Sequence, residues 1–321
     1  SPTGTGSGKV SGTPDPITYA AGDDYTGIES VIASGALSGP NGQTNLWDIT
    51  GVNQFTLNGT TFSGVTAVLG GDQIDTFTVE DGGQLTGATA IDGAAGANVL
   101  QSVGNATWTV TGANAGSIRT TAGATTFTNI QARTGGAGND AFALNGGTVS
   151  GAVDGGGGVN SLTADNVANT WVLTGANAGT VTGIAGGFSN MANLTGGGNT
   201  DGFTLSGGSL SGTVNGGAGT NSLTGDNVAT TWTITGSDAG SVTGITGGFT
   251  NMANLTGGSN DDAFSLGANG SVSGLMDGGG QATGDSVNYA LVTAPVTTKL
   301  GTDITNIESV TGDGVNDTLV G

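Results

Sequence analysis

The sequence feature that most constrains the fold is a stretch of 37 residues that occurs twice. The stretch from Ser161 to Gly197 returns from Ser222 to Gly258 with 28 of its 37 positions identical. The differences are small, such as Leu173 against Ile234, so both copies must satisfy the same packing. A chain built this way is predicted to be a repeat array, in which each unit buries its apolar face against its neighbours.

The same unit extends toward the N-terminus and has a finer period. Four tryptophans mark the long repeat at separations of 61, 63 and 61 residues: Trp47, Trp108, Trp171 and Trp232. Glycine pairs, or Thr-Gly in two places, recur every 20 or 21 residues from Gly135 to Gly279. A period near 20 predicts an all-β fold, a parallel β-solenoid (β-helix) with coils of about 20 residues and three coils per 61–63-residue repeat.

Composition agrees with a narrow core between tight turns. The chain has 67 glycines and only 9% charged residues, but its glycines are in phase with alternating apolar words such as Trp232-Thr233-Ile234-Thr235. Glycines of this kind suit turns with positive φ, and the words between them suit strands. We therefore expect the aromatic residues to pack inside the coils, with these in the structural core: Trp47, Trp108, Trp171, Trp232, Phe142, Phe188, Phe203, Phe249 and Phe264.

Proline positions predict the domain limits, because proline is excluded from central strands. Four of the five prolines precede the first tryptophan, and the fifth is Pro295. We predict a flexible or extended lead over residues 1–16 and a single continuous β-solenoid over residues 17–321. The closing words 316–321 read as an interrupted coil, which predicts either a segment of a longer protein or ends that stack head to tail.

Charge limits the partners. The chain has 24 acidic residues, four basic residues and no histidine, for a net charge of −20. Nucleic acid needs clustered lysine and arginine, so it is excluded as a partner. No apolar run is long enough to span a membrane, and the absence of cysteine excludes a disulfide framework. This polar composition is typical of a bacterial extracellular or cell-surface protein.

One motif carries metal chemistry. Residues 135–143, Gly-Gly-Ala-Gly-Asn-Asp-Ala-Phe-Ala, fit the pattern G-G-x-G-x-D-x-U-x and resemble the RTX, or haemolysin-type, calcium-binding nonapeptides. Weaker versions of the motif, and one adjacent carboxylate, extend the set of candidate Ca²⁺ ligands that the resemblance implies: Asp75, Asp140, Asp201, Asp261, Asp262 and Asp317.

The chain departs from that family in one respect. The aspartates recur once per long repeat, whereas RTX nonapeptides follow one another directly. Asparagines take the equivalent place in neighbouring coils, at Asn98, Asn160 and Asn221. Stacked asparagines can form a side-chain ladder without any ion. Calcium sites and a purely structural ladder therefore both stay open.

Nearly the whole chain resembles the β-strand-repeat regions of giant bacterial surface adhesins of the filamentous-haemagglutinin-like kind. The words that show it are Thr231–Gly236, Asn251–Gly258 and Asn316–Leu319. The resemblance implies a non-enzymatic extracellular rod or filament subunit that self-stacks end to end and serves adhesion, aggregation or a biofilm matrix, with surface glycans or other cells as further candidate partners. The alternative is an excised stalk segment of a giant calcium-binding RTX-like adhesin.

A polysaccharide-processing β-helix enzyme is the remote alternative. Such an enzyme would need a cationic base or a carboxylate cluster in a groove. The chain has no histidine, and its adjacent acidic pairs are Asp23-Asp24, Glu80-Asp81 and Asp261-Asp262. Acidic pairs in turns are typical of solvated surface, so we expect no enzymatic activity.

Overall fold

The computed structural model describes residues 17–18, 30–280 and 284–321. All regular secondary structure in these residues is β-strand, and no helix occurs among them. The predicted all-β class is thereby confirmed. The lead predicted for residues 1–16 lies outside the described residues.

The strands are short and numerous. Those up to residue 160 are β1 (Ile17–Thr18), β2 (Ser30–Ser38), β3 (Leu46–Gly51), β4 (Gln54–Leu57), β5 (Thr60–Leu69), β6 (Thr76–Val79), β7 (Ile91–Asp92), β8 (Val99–Ser102), β9 (Thr107–Gly112), β10 (Ala115–Arg119), β11 (Ala124–Thr128), β12 (Ala132–Thr134), β13 (Ala141–Leu144) and β14 (Val153–Asp154). The later strands are β15 (Ser161–Thr163), β16 (Thr170–Gly175), β17 (Ala178–Val181), β18 (Ile184–Ser189), β19 (Asn193–Gly197), β20 (Gly202–Leu205), β21 (Val214–Gly217), β22 (Ser222–Thr224), β23 (Thr231–Gly236), β24 (Ala239–Val242), β25 (Ile245–Thr250), β26 (Asn254–Gly258), β27 (Ala263–Leu266), β28 (Met276–Gly279), β29 (Ser286–Asn288), β30 (Thr297–Lys299), β31 (Ile304–Thr305), β32 (Ser309–Thr311) and β33 (Thr318–Val320).

The chain divides into two compact units. The first comprises Ser1–Asn160 with Gly183–Gly186, and the second comprises Ser161–Thr182 with Gly187–Gly321. Strand pairing is mostly parallel within each unit, and apolar side chains of paired strands lie in register.

In the first unit, parallel pairing aligns one inward column of side chains. Strands β3, β6, β8, β12 and β14 pair successively, and the column runs Trp47, Phe77, Leu100, Arg133, Val153. In the second unit, β16, β20, β22, β26, β28 and β31 pair in the same way, and their column runs Trp171, Phe203, Leu223, Leu255, Met276, Ile304. Parallel columns of this kind are compatible with a β-solenoid.

The spacing along these columns differs from the uniform step of about 20 residues that the sequence predicts. Successive partners are 30, 23, 33 and 20 residues apart in the first column, and 32, 20, 32, 21 and 28 in the second. The reason is an inserted antiparallel hairpin. Between Trp171 and Phe203, for example, β17 folds back on β16 and pairs Val181 with Trp171. The three equal coils predicted per repeat are therefore wrong for these strands.

The core consists of side chains that alternate inward along each strand. All nine aromatic residues expected inside are buried, with exposures between 0 and 4%. Each tryptophan stacks on the phenylalanine of its parallel partner strand. For Trp171 and Phe203 the ring centroids are 5.2 Å apart and the planes differ by 11°. The equivalent pairs are Trp47 with Phe77, Trp108 with Phe142, and Trp232 with Phe264.

Each hairpin turns on a residue with positive φ that also bonds to a following segment. The turn residues are Asn53, Asn114, Asn177 and Asp238, with φ between 53° and 55°. Asparagine and aspartate tolerate this left-handed conformation better than other non-glycine residues. Their side-chain oxygens accept backbone N–H bonds of 2.7 to 3.0 Å from Thr86, Ser150, Ser211 and Ser273 respectively. The repeated Gly-Ala/Ser-Asn/Asp-Ala-Gly word thus encodes a hairpin.

Candidate functional site

The predicted calcium-ligand aspartates occupy one equivalent position in the repeats. Asp75, Asp140, Asp201 and Asp262 immediately precede a strand, and each is at most 2% exposed. A buried carboxylate is costly unless its oxygens are hydrogen-bonded or paired with a cation. The partners of these oxygens therefore indicate what the residues do.

In all four aspartates, Oδ1 accepts a backbone N–H from the residue two positions before a repeat tryptophan. The N–O distances are 2.7 to 2.8 Å, and the donors are Asn45 for Asp75, Ala106 for Asp140, Asn169 for Asp201 and Thr230 for Asp262. Two donors add a side-chain bond: Asn169 Nδ2 donates to Asp201 at 2.8 Å, and the Thr230 hydroxyl donates to Asp262. Each carboxylate therefore ties its own segment to an earlier one.

The backbone N–H of each aspartate continues the connection to a later segment. It donates to a side-chain oxygen at 2.7 to 2.9 Å, from Asn98 for Asp75, Asn160 for Asp140, Asn221 for Asp201 and Asp285 for Asp262. We call these four aspartates and their four acceptors the polar ladder. Two rows extend further, because Asn98 N–H donates to Gln131 and Asp285 N–H donates to Glu308.

The glycine that begins each motif makes room for the carboxylate. A Cβ atom on Gly70, Gly135, Gly196 or Gly257 would lie 2.3 to 2.7 Å from the Oδ2 atom of the aspartate five residues later. Real Cβ atoms do not approach other atoms so closely. The spacing of glycine and aspartate that resembles the calcium-binding nonapeptide is therefore also the spacing that a buried, backbone-bonded carboxylate requires.

The second carboxylate oxygen divides the four aspartates into two kinds. Oδ2 accepts N–H from Gly71 at 2.6 Å in Asp75, and from Gly136 at 3.0 Å in Asp140. In Asp201 and Asp262, Oδ2 is buried without a hydrogen-bond partner. Burial raises the pKa of Asp140, Asp201 and Asp262 above the ordinary aspartate value, and the hydrogen bonds to Oδ1 oppose that rise.

The other two calcium candidates lie on the surface. Asp261 is exposed beside the buried Asp262, and Asp317 is exposed near the C-terminus of the sequence. Asp317 Oδ1 accepts N–H from Val296, and its Oδ2 accepts N–H from Asp313, both at 3.0 Å. Among the described residues, no three or more acidic, histidine or cysteine side chains are grouped so that they could hold a metal ion. The contacts favour the structural alternative, and calcium binding stays a prediction.

Sequence reasoning missed the donor half of the polar ladder. Asn45, Ala106, Asn169 and Thr230 share no residue type, because three of them act only or mainly through the backbone N–H. Their common position two residues before each tryptophan was the available signal. The asparagine acceptors were anticipated, but they accept from backbone N–H groups of the aspartates and do not form an uninterrupted amide ladder.

Substitutions at Asp201 should separate hydrogen bonding from charge. We expect Asp201→Asn to change the free energy of unfolding by less than about 1 kcal/mol, because an amide oxygen can still accept from Asn169. We expect Asp201→Ala to cost roughly 2 to 3 kcal/mol, because it leaves a buried N–H unpaired. Urea denaturation followed by circular dichroism measures both, and equal losses in the two variants would contradict the assignment.

Acidification should stabilise the fold. The pKa values of Asp140, Asp201, Asp262 and Asp285 are raised by burial, so the folded chain binds more protons than the unfolded chain between the ordinary and the raised values. Stability contributed by these groups therefore increases as the pH falls from neutral into that window. A proton on the unpartnered Oδ2 of Asp201 or Asp262 leaves the bonds to Oδ1 intact.

Thermal unfolding at a series of pH values tests this expectation. We expect a higher Tm near pH 5 than near pH 8, helped by reduced repulsion in a chain of net charge −20. The double variant Asp201→Asn, Asp262→Asn should have a flatter profile than the unmodified protein. A Tm that falls continuously between pH 8 and pH 5 would refute the expectation.

Comparisons with known proteins leave the argument to the geometry of the chain. No protein-family model matches the sequence, no curated protein matches it, and no solved structure matches the fold. Within the described parts of the chain, no helix has the length and apolar character needed to cross a membrane.

Proposed function

We propose that this chain is a non-enzymatic structural protein, a bacterial extracellular rod or filament subunit built as a β-solenoid. In this proposal, coils of about 20 residues alternate with longer coils that carry a hairpin. The observation that carries it is the polar ladder, in which the buried carboxylates with the most distinctive environment bond to backbone N–H groups of other segments. Groups that serve chemistry would instead face a groove open to substrate.

The packing supports a self-supporting scaffold. Aromatic stacking, parallel backbone pairing and the polar ladder recur in each long repeat, so stability accumulates unit by unit, as in other repeat proteins. Turn residues repeat the pattern, since Asn114, Asn177 and Asp238 make the same type of bond to a later serine. A scaffold of this kind can be lengthened without changing its local contacts.

The repeats also support self-association. The strands that pair at Leu162 and Leu194 have almost the same sequence as those that pair at Leu223 and Leu255. A surface that accepts the next coil of its own chain is therefore closely matched by a surface of another copy. We propose stacking of copies along the strand-pairing direction, with adhesion, aggregation or matrix building as the role and with glycans or other cells as further partners.

Electron microscopy of the purified protein, without crosslinker, tests the proposal. We expect filaments that lengthen with protein concentration. A matched variant, Leu194→Asp, should unfold or fail to assemble, whereas the surface change Val172→Thr, which introduces the residue found at Thr109 and Thr233, should leave filaments unchanged. Monomeric particles at all concentrations would refute self-stacking and favour the alternative of a stalk segment from a larger calcium-binding adhesin.

A further inference from the structure

A polar groove of about 430 Å³ crosses the outward side of β3, β4, β6 and β8 in the first unit. Its lining includes two carboxylates, Asp48 and Glu80, together with the hydrogen-bonding side chains of Thr56, Thr78 and Gln101. Strand register places three of these in a row, because Asp48 pairs with Thr78 and Thr78 pairs with Gln101. A groove of this volume is within the range of small-ligand sites.

The acidic pair has no counter-charge in the groove, since no lysine or arginine is among the lining residues. Asp48 Oδ1 is also buried without a hydrogen-bond partner. Burial raises the pKa of both carboxyls, and the charge of Asp48 contributes to the rise at Glu80. An unpartnered acceptor beside a second negative charge is costly, so this arrangement is incomplete without a donor from outside the described chain.

Repeat packing does not require these charges. The residues equivalent to Asp48 in the other repeats are Thr109, Val172 and Thr233, and those equivalent to Glu80 are Asn145, Ser206 and Gly267. The first repeat has therefore acquired a charged pair at positions where its relatives in the same chain are neutral. This difference separates the groove from the polar ladder, which recurs in every repeat.

We propose that the groove binds a hydroxyl-rich ligand that carries a primary ammonium group, namely an amino sugar in a short oligosaccharide. The ammonium group supplies the donors and the positive charge that Asp48 and Glu80 lack. The threonine hydroxyls and the Gln101 amide offer donors and acceptors to sugar hydroxyls. The groove is larger than a bare metal ion needs, and the chain provides only two carboxylates to it. This site is independent of the proposed structural role.

Isothermal titration with the β-1,4-linked glucosamine disaccharide tests the proposal, at a mildly acidic pH where the amine is protonated. We expect binding that weakens about tenfold or more in Asp48→Thr and in Glu80→Ser, because each removes a charge-assisted hydrogen bond. These variants introduce residues that other repeats contain, so the fold should survive, and unchanged Tm values verify it. Asp165→Asn, outside the groove, should bind as the unmodified protein does.

Three further probes decide the ligand class. Weaker binding of the N,N′-diacetylated disaccharide and of the neutral disaccharide cellobiose supports the requirement for an ammonium group. Equal binding of either would overturn it. Equal binding of a simple aliphatic diamine would overturn the sugar part of the proposal, and no binding of the glucosamine disaccharide would overturn the site itself.

Discussion

Replacing Arg133 with leucine is expected to stabilise the protein by about 3 kcal/mol. Arg133 is 1% exposed, none of its three guanidinium nitrogens has a hydrogen-bond partner, and its nearest favourable contact is the Phe127 ring, 4.8 Å from Cζ. Burial lowers the pKa of Arg133 to about 10. A depression of roughly 2.5 units corresponds to about 3 kcal/mol at neutral pH, since each unit is worth about 1.4 kcal/mol.

The repeats explain why leucine should fit at this position. Residues equivalent to Arg133 are Val68, Leu194 and Leu255, and the cross-strand neighbours of Arg133 are Leu100 and Val153. The reciprocal change Leu194→Arg should destabilise the fold, because it places an unpaired charge in the same apolar surroundings. Chemical denaturation measures both variants. Destabilisation by Arg133→Leu would show that the guanidinium has a compensating partner.

Removing one stacked tryptophan is expected to have the largest destabilising effect. Trp171 is fully buried, stacks on Phe203 at 5.2 Å, and meets the edge of Phe188 at 5.8 Å. Trp171→Ala removes these contacts and leaves a cavity, so we expect a loss of roughly 3 to 5 kcal/mol. The loss should be read from urea denaturation with circular dichroism.

Two matched variants bound the interpretation of that loss. Trp171→Phe should lose less than the alanine variant, because an aromatic ring remains between Phe188 and Phe203. Val172→Thr, on the opposite face of the same strand, should be nearly neutral. A loss below about 1 kcal/mol for Trp171→Ala would mean that the stacked pairs do not support the core.

The sequence predicted the strands and the core because both follow from local alternation. In a word such as Trp232-Thr233-Ile234, period-two alternation sets which side chains turn inward, and the buried tryptophan and isoleucine follow it. The hairpins were harder to predict. Their turns at Asn177 and Asp238 have a clear left-handed signature, but glycine spacing alone reads each hairpin as one more coil of equal length.

The candidate site was half visible in the sequence. Its acceptors were found because Asp140 and Asn160 recur at a fixed distance after glycine. Its donors were not, because a backbone N–H such as that of Ala106 has no side-chain signature. Arg133 was also missed, although its substitution for leucine within a repeated word was a visible anomaly. Contacts between segments 20 to 38 residues apart depend on register, which a single sequence does not specify locally.

The most direct test of the structural account is thermal unfolding of the protein after chelation, in the presence of calcium and, as a control for ionic screening, in equal concentrations of magnesium. The account predicts the same Tm in calcium and in magnesium, because the buried aspartates already accept hydrogen bonds from backbone N–H groups. A ligand that binds only the folded state raises stability by about 2.7 kcal/mol at one hundred times its Kd. A calcium-specific rise in Tm that disappears in Asp140→Asn would contradict the account and establish these carboxylates as calcium ligands.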